Sequence, residues 1–145
     1  MKYIHYGSNE FDINRFEKIK NKEVLPKPSG GLWGSRINIT TGWKDWCRNT
    51  GFKSNLKEYF IFSLKEDAKI LTINSNEQLK QLPKQDNNLY GVYCSLDFEE
   101  LFKEYDAIEV FISEDRELYF SLYGWDCDSI IVINPSKIIE ENDEN

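Results

Sequence analysis

The chain has 145 residues, of which 40% are hydrophobic and 30% are charged, and its formal net charge is −7. This length predicts one ordinary domain that buries roughly 68–70% of its unfolded surface and folds without disulfides or a metal. The composition excludes collagen-like, coiled-coil and wholly disordered chains. No apolar run approaches the roughly 20 residues of a membrane helix and no signal peptide opens the chain, which predicts a cytoplasmic protein without a membrane partner.

The charge is divided unevenly along the chain. Residues 1–57 hold 11 Lys and Arg against 5 Asp and Glu, whereas residues 58–145 hold 7 against 20. This asymmetry is equally consistent with a solvated surface of random imbalance and with a basic first half that faces an anionic ligand. The acidic residues 140–145 are predicted to form a frayed tail beyond a single domain at residues 1–139. The negative total argues against indiscriminate nucleic-acid binding.

The cysteines and the histidine limit the possible chemistry. Cys47, Cys94 and Cys127 are odd in number and lack a metal-ligand spacing, which indicates reduced cytosolic thiols. His5 is the only histidine, so a histidine-based zinc site is excluded, and we predict no metal. A Cys–His nucleophile pair is formally possible, but nothing local marks a reactive thiol.

The first half alternates short strands, helices and Gly- or Pro-rich turns. In chain order, the predicted elements are a strand at 2–5, a short helix at 12–19, a loop at 26–31, a strand from Leu32, a helical face at Trp43 and Trp46, and strands at 58–64 and 69–73. Glu66 and Asp67 lie between the last two strands and predict a hairpin there.

The second half contains the most apolar strand. In chain order, the predicted elements are a helix at 75–82, a loop at 85–88, an amphipathic helix at 97–104, a strand at 107–112, a segment of undecided type at 117–123, a central strand at 129–133, and a turn or short helix from Pro135. The fold class is therefore α+β, with about six strands and short helices inserted in the first half and middle.

Three short segments carry residues suited to a ligand site. In the first, His5 ends a strand and Gly7-Ser8 follow it, so a ligand can approach the backbone. The alternative is a half-buried histidine with a satisfied hydrogen bond. In the second, Trp33 is flanked by glycine and serine, which leaves an indole face for a flat or cationic heterocycle; the alternative is a tryptophan of the core.

The third segment places acids ahead of the apolar strand. Asp126 and Asp128 lie at the mouth of residues 129–133, close enough for one carboxylate to tune the other. The alternative is that they are turn acids that cap the strand. No Gly-Lys-Ser/Thr sequence follows the glycines of the second segment, so that segment is not a P-loop.

Together, the three segments resemble the ADP-ribosyltransferase superfamily, in its His–aromatic–acid form. That superfamily carries a His on its first strand, an aromatic residue in a Gly-rich strand and an acid at the start of a later strand. His5, Trp33 and Asp128 match these motifs in order, over nearly the whole chain. Asp128 stands where the family usually has Glu.

The resemblance implies a split β-sheet core and NAD as the cofactor. It implies that Asp128 and His5 are catalytic, with Asp126 as the second choice for the acid, and that Trp33 and Trp43 sandwich the nicotinamide. Implied residues for NAD binding are His5, Tyr6, Gly7, Ser8, Gly31, Leu32, Trp33, Ser35, Arg36 and Trp43, with Arg36, Lys27 or Arg48 as partners of the pyrophosphate.

The implied activity is transfer of ADP-ribose from NAD to a protein or nucleic-acid acceptor, with release of nicotinamide. Such a small chain suits a bacterial or phage toxin or effector. The alternatives are a catalytically inactive module of the same fold that binds NAD, another nucleotide or a protein, and an unrelated small α+β interaction protein whose aromatic residues are only core.

Overall fold

The structure, a computed structural model, describes residues 1–22, 26–86 and 95–142. Within these ranges lie seven strands. Their bounds are β1 Lys2–Tyr6, β2 Leu32–Arg36, β3 Tyr59–Leu64, β4 Ile70–Ile73, β5 Ala107–Val110, β6 Ser129–Val132 and β7 Ile138–Glu141. All seven belong to one mixed sheet in the order β4-β5-β6-β2-β1-β3-β7. This arrangement confirms the α+β class, whereas the split form of the sheet remains a prediction.

The helices in the described ranges are short. The α-helices are α1 Trp43–Thr50, α2 Asn76–Leu79, α3 Phe98–Leu101 and α4 Arg116–Ser121, and one-turn 3-10 helices occupy Ile13–Arg15, Ile112–Glu114 and Pro135–Lys137. The segment of undecided type at 117–123 is therefore largely helical. No helix in these ranges is long and apolar enough to cross a membrane.

The register of three neighbouring strands positions the candidate site. In the antiparallel pair of β1 and β2, Ile4 lies opposite Ser35. In the antiparallel pair of β2 and β6, Trp33 lies opposite Ile131. The order β6-β2-β1 therefore brings the three motif-bearing segments side by side, although the chain separates the first from the last by more than a hundred residues.

Strand β6 is buried on both of its faces. Ile131 packs in one hydrophobic cluster with the residues of α2, α3 and α4, and Ile130 and Val132 pack in a second cluster with Phe62 of β3. Because successive side chains of a strand point to opposite faces, a strand covered on both sides needs a continuous apolar run. This confirms the prediction of an interior strand at this position.

The predicted hairpin between β3 and β4 is wrong. β3 pairs with β1 and β7, whereas β4 pairs in parallel with β5 on the opposite edge of the sheet. The short polar turn between the two strands allowed a hairpin, but Ile73 is fully buried in the cluster that also holds Ile108 and Val110. Burial against distant residues outweighs the local turn preference here.

The frayed tail predicted at 140–145 is corrected for its first two residues. Glu140 and Glu141 belong to β7, opposite Phe62 and Ile61 of β3, and Glu141 forms a salt bridge of 3.5 Å with Lys2. Backbone pairing along the edge of the sheet thus extends the domain beyond residue 139. Residues 143–145 lie outside the described residues, as do residues 87–88 of the predicted loop.

Candidate functional site

The largest set of predicted site residues lines one cavity, here called the central pocket. It encloses about 270 Å³ where β1, β2 and the segment before β6 meet the start of α1. Among its lining residues are His5, Tyr6, Trp33, Ser35, Trp43 and Asp126. Three segments distant in the chain therefore contribute to one cavity.

A second cavity, here called the outer pocket, shares His5 with the central pocket. It measures about 470 Å³ and is lined by the predicted residues Gly7, Ser8, Gly31 and Leu32, together with Arg15. Gly31 has a φ of +72°, and a Cβ at this position would lie 2.7 Å from Cγ1 of Ile131. Only glycine therefore allows the chain to enter β2 this close to β6.

His5 is held by its neighbour on β2. Its Nδ1 lies 2.7 Å from the backbone carbonyl oxygen of Trp33. A carbonyl only accepts, so Nδ1 carries the proton and the neutral ring has Nε2 as an acceptor. Burial lowers the pKa of His5 below 6.5, and the bond to the carbonyl opposes this only in part. At neutral pH His5 can therefore accept a hydrogen bond from a hydroxyl at Nε2.

The two predicted stacking residues have different surroundings. The ring of Trp33 contacts Trp125 edge to face at a centroid distance of 4.7 Å, and Nζ of Lys27 lies 4.8 Å from the Trp33 centroid. Trp43 instead stacks on Trp46 at 5.1 Å, with 17° between the rings. Both Trp33 and Trp43 line the central pocket. Their sandwiching of one ligand ring remains a prediction.

The side chain of Ser35 forms hydrogen bonds with two other segments of the chain. Its buried hydroxyl donates to the backbone carbonyl of Asp128 at 3.1 Å and accepts from the backbone N–H of Trp43 at 3.1 Å. One side chain thus connects β2, the first residue of α1 and the segment that enters β6. The hydroxyl proton is used within the fold, so Ser35 contributes to the central pocket by lining its wall.

Asp128 does not line the central pocket, and its role as the catalytic acid stays a prediction. Only 5% of the residue is exposed. Its carboxylate accepts from the backbone N–H of Ser113 at 2.9 Å, the hydroxyl of Ser113 at 2.6 Å and the hydroxyl of Thr41 at 2.6 Å. The carboxylate thus accepts three hydrogen bonds, one from Thr41 and two from Ser113 of the one-turn helix Ile112–Glu114. Asp128 therefore connects these two segments to the start of β6.

Asp126, the second choice for the acid, does line the central pocket. Burial raises the pKa of Asp126 above its usual range, and the positive charge of Lys27 opposes that shift. A carboxyl group with a raised pKa in a pocket is suited to exchanging a proton with a substrate. The geometry therefore favours Asp126 over Asp128 as the reactive acid.

Arg36 is paired with an acid inside the fold, and its binding of a pyrophosphate stays a prediction. Its guanidinium donates to both carboxylate oxygens of Glu109, at 2.9 and 2.6 Å, and its Cζ lies 4.8 Å from the ring centroid of Phe111. Glu109 is only 3% exposed, so its charge needs this partner. Of the three cations proposed for the pyrophosphate, Lys27 lines the central pocket.

The described thiols are poor nucleophiles. Burial raises the pKa of Cys127 to about 11 and also raises the pKa of Cys47. Both thiols are therefore protonated at neutral pH, where only the thiolate attacks or binds a metal. Cys94 lies outside the described residues. Within the described ranges, no group of three His, Cys, Asp or Glu residues is arranged to hold a metal.

Trp125 and Ser54 are among the residues of the central pocket that were missed from the sequence. Trp125 is almost fully buried and forms a wall of the pocket beside Trp33. Its position between Gly124 and Asp126 was a usable signal, because the third segment had already been singled out. Ser54 accepts a hydrogen bond of 3.3 Å from Nε1 of Trp43, and no sequence pattern points to it.

Comparison with family models, curated proteins and solved structures found no match to this chain.

Proposed function

We propose that this protein binds NAD and transfers its ADP-ribose to a protein or nucleic-acid acceptor, with release of nicotinamide. The observation that carries the proposal is that His5 lines both the central and the outer pocket. NAD consists of two nucleotides joined by a pyrophosphate. Two adjoining cavities with one shared histidine suit a ligand of that shape, with the nicotinamide half in the central pocket and the adenosine half in the outer one.

The lining chemistry supports this orientation. The oxidised nicotinamide ring is flat and cationic, and the central pocket offers the aromatic walls Trp33 and Trp43. The neutral imidazole of His5 accepts from a ribose hydroxyl through Nε2. Lys27 of the central pocket supplies positive charge for the pyrophosphate, whereas Arg15 of the outer pocket lies 3.6 Å from Asp12 and shares that pocket with the acids Glu10 and Glu58.

Asp126 provides the electrostatic part of the reaction. The bond between C1′ of the nicotinamide ribose and the ring nitrogen breaks, and its electron pair leaves with neutral nicotinamide. A lone pair of the acceptor forms the new bond to C1′, and the acceptor proton passes to Asp126 or to water. Positive charge develops on the ribose meanwhile, and a carboxylate already in place stabilises it without solvent reorganisation.

A second candidate is a module of the same fold that binds NAD, another nucleotide or a protein without turnover. Asp128 is the acid that matches the family motif, and its carboxylate already accepts three hydrogen bonds from Ser113 and Thr41. This observation favours a loss of turnover. In the first candidate Asp126 acts as the reactive acid in place of Asp128, and in the second candidate no acid does.

The test combines binding and turnover on the intact protein. Titration calorimetry with NAD measures binding, and chromatography measures nicotinamide release in the presence and absence of acceptor candidates. Binding with nicotinamide release that Asp126→Asn abolishes supports the transferase. Binding without release supports the second candidate and overturns the first. Absence of both binding and a thermal shift at millimolar NAD overturns both.

A further inference from the structure

A third cavity, here called the side groove, lies on the other side of the wall of the central pocket. It measures about 440 Å³ and runs between α1 and the strands β1 and β3. Ile4, Tyr6, Ser35 and Trp43 line both cavities. A ligand in the side groove would therefore lie next to a ligand in the central pocket.

Aromatic rings form one side of the side groove. Tyr59 lines it, is 39% exposed and has its ring 6.1 Å from that of Tyr6. Behind the groove, the stacked pair of Trp43 and Trp46 is covered by Phe52, at ring distances of 5.6 and 5.4 Å. The groove thus offers a partly exposed ring, Tyr59, next to the ring of Tyr6.

Positive charge lines the same cavity. Lys44 and Arg48 of α1 are exposed and line the groove, together with the acid Asp45. Lys53 and Lys57 are exposed in the segment that contributes Leu56 to the lining. In the part of the chain that the structure describes, none of these four cations forms a salt bridge.

A groove that combines cations with an exposed aromatic ring is complementary to a strand of unpaired nucleotides. Channels that bind single-stranded nucleic acid combine a basic track for phosphates with aromatic rings on which bases stack. An acidic peptide would also meet Lys44 and Arg48, but it would not use the exposed ring of Tyr59. A duplex keeps its bases paired and stacked on each other, so it offers no free base face to that ring.

We propose that the side groove binds single-stranded nucleic acid, with a base stacked on Tyr59 and phosphates next to Lys44 and Arg48. Because the groove shares Trp43 and Tyr6 with the central pocket, the bound strand is placed as the acceptor of ADP-ribose. The role as acceptor rests on the proposed function, whereas the binding itself does not.

The first test measures binding by fluorescence anisotropy, without NAD, with labelled single-stranded DNA and RNA of about 12 nucleotides. We expect Lys44→Gln/Arg48→Gln to weaken binding at least about fivefold and to reduce the slope of log K against log salt by about one to two. The matched control is Lys65→Gln/Lys69→Gln, which removes the same charge from exposed residues outside the groove. Equal effects of the two variants, or no binding at all, overturn the proposal.

The second test separates stacking from charge. Tyr59→Ala is expected to weaken binding by about fivefold to 100-fold, and Tyr59→Phe to retain it, because the ring is kept. Circular dichroism and the melting temperature confirm that both variants fold. Unchanged binding by Tyr59→Ala, or full competition by a poly-glutamate peptide, overturns the proposal. Retained oligonucleotide binding without transfer of ADP-ribose to the oligonucleotide overturns only the role of the strand as acceptor, whereas the proposed function is tested separately by nicotinamide release.

Discussion

Ser113 donates both its backbone N–H and its hydroxyl to the carboxylate of Asp128, at 2.9 and 2.6 Å. Thr41 donates a third bond of 2.6 Å to the same carboxylate, and the backbone N–H of Asp128 returns one of 3.0 Å to the carbonyl of Thr41. These bonds connect the loop before α1, the one-turn helix Ile112–Glu114 and the entry to β6. Asp128 therefore stabilises the frame around the pocket, while Asp126, two residues earlier, lines the pocket itself.

We predict that Asp128→Asn destabilises the protein by about 2 kcal/mol and lowers the melting temperature by about 6 °C. The amide nitrogen cannot accept from the hydroxyls of Thr41 and Ser113, so at least one buried donor loses its partner. Thermal unfolding measured by circular dichroism checks this. A melting temperature equal to that of the unmodified protein would show that the three bonds contribute no net stability.

Asp126→Asn is expected to lower the activity of the protein without lowering its stability. Because burial raises the pKa of Asp126, its charged form opposes folding at neutral pH, and the neutral amide removes that penalty. The melting temperature should therefore stay the same or rise. Nicotinamide release should fall about 100-fold or more, which is the effect of losing a preorganised electrostatic group. Undiminished turnover in Asp126→Asn would exclude it as the reactive acid.

NAD affinity should depend on the protonation of His5. Its pKa lies below 6.5, so the ring is neutral at pH 7 and Nε2 accepts. As the pH falls through the lowered pKa, Nε2 gains a proton and becomes a donor, so affinity should be constant above about pH 6.5 and fall below it. Calorimetry across this range measures it, with His5→Asn as the non-titrating control. An affinity that rises toward acid contradicts the assigned acceptor role.

The stacked tryptophans of α1 provide a matched pair of variants. Trp43 lines the central pocket and Trp46 does not, although their rings stack on each other. Trp43→Ala should weaken NAD binding about tenfold or more, because base–aromatic stacking contributes about 1–3 kcal/mol. Trp46→Ala should leave the dissociation constant within about twofold, since it removes a similar ring at a comparable cost in packing. Equal losses in both would assign the effect to the stability of α1.

The ion pair of Arg36 and Glu109 should stabilise the protein without contributing to its affinity for NAD. Arg36→Met leaves the carboxylate of Glu109 buried without its cation and is expected to destabilise the protein by about 3–5 kcal/mol. Adding Glu109→Gln should recover most of this, because the neutral amide leaves no buried charge without a partner. Urea unfolding measures both variants. A loss of NAD affinity in the folded double variant would restore Arg36 as a ligand of the pyrophosphate.

Local patterns were sufficient for features that depend on neighbouring residues. The apolar run at 129–133 predicted an interior strand because both faces of β6 are covered. The spacing of Trp43 and Trp46 predicted a helical face, and both residues lie in α1 with stacked rings. A short helix was predicted at 12–19, and a one-turn helix begins there at Ile13, capped by the carboxylate of Asp12, which accepts from the backbone N–H of Asn14 at 2.9 Å.

Local patterns failed where a distant partner decides the outcome. Asp126 and Asp128 lie two residues apart ahead of the same strand, and only the fold places Thr41 and Ser113 against Asp128. Likewise, Arg36 looked available for an anion, and only the fold places Glu109 against it.

By itself, the sequence determined the α+β class and the interior strand, and it singled out His5, Trp33 and Asp126, which line one pocket. Only the tertiary structure decided that β3 and β4 separate, that His5 joins two pockets and that Asp126 rather than Asp128 faces the central one. The physical reason is that periodicity reports burial along a single strand. Strand partners and the orientation of a buried carboxylate are determined by hydrogen bonds and contacts between residues far apart in the chain.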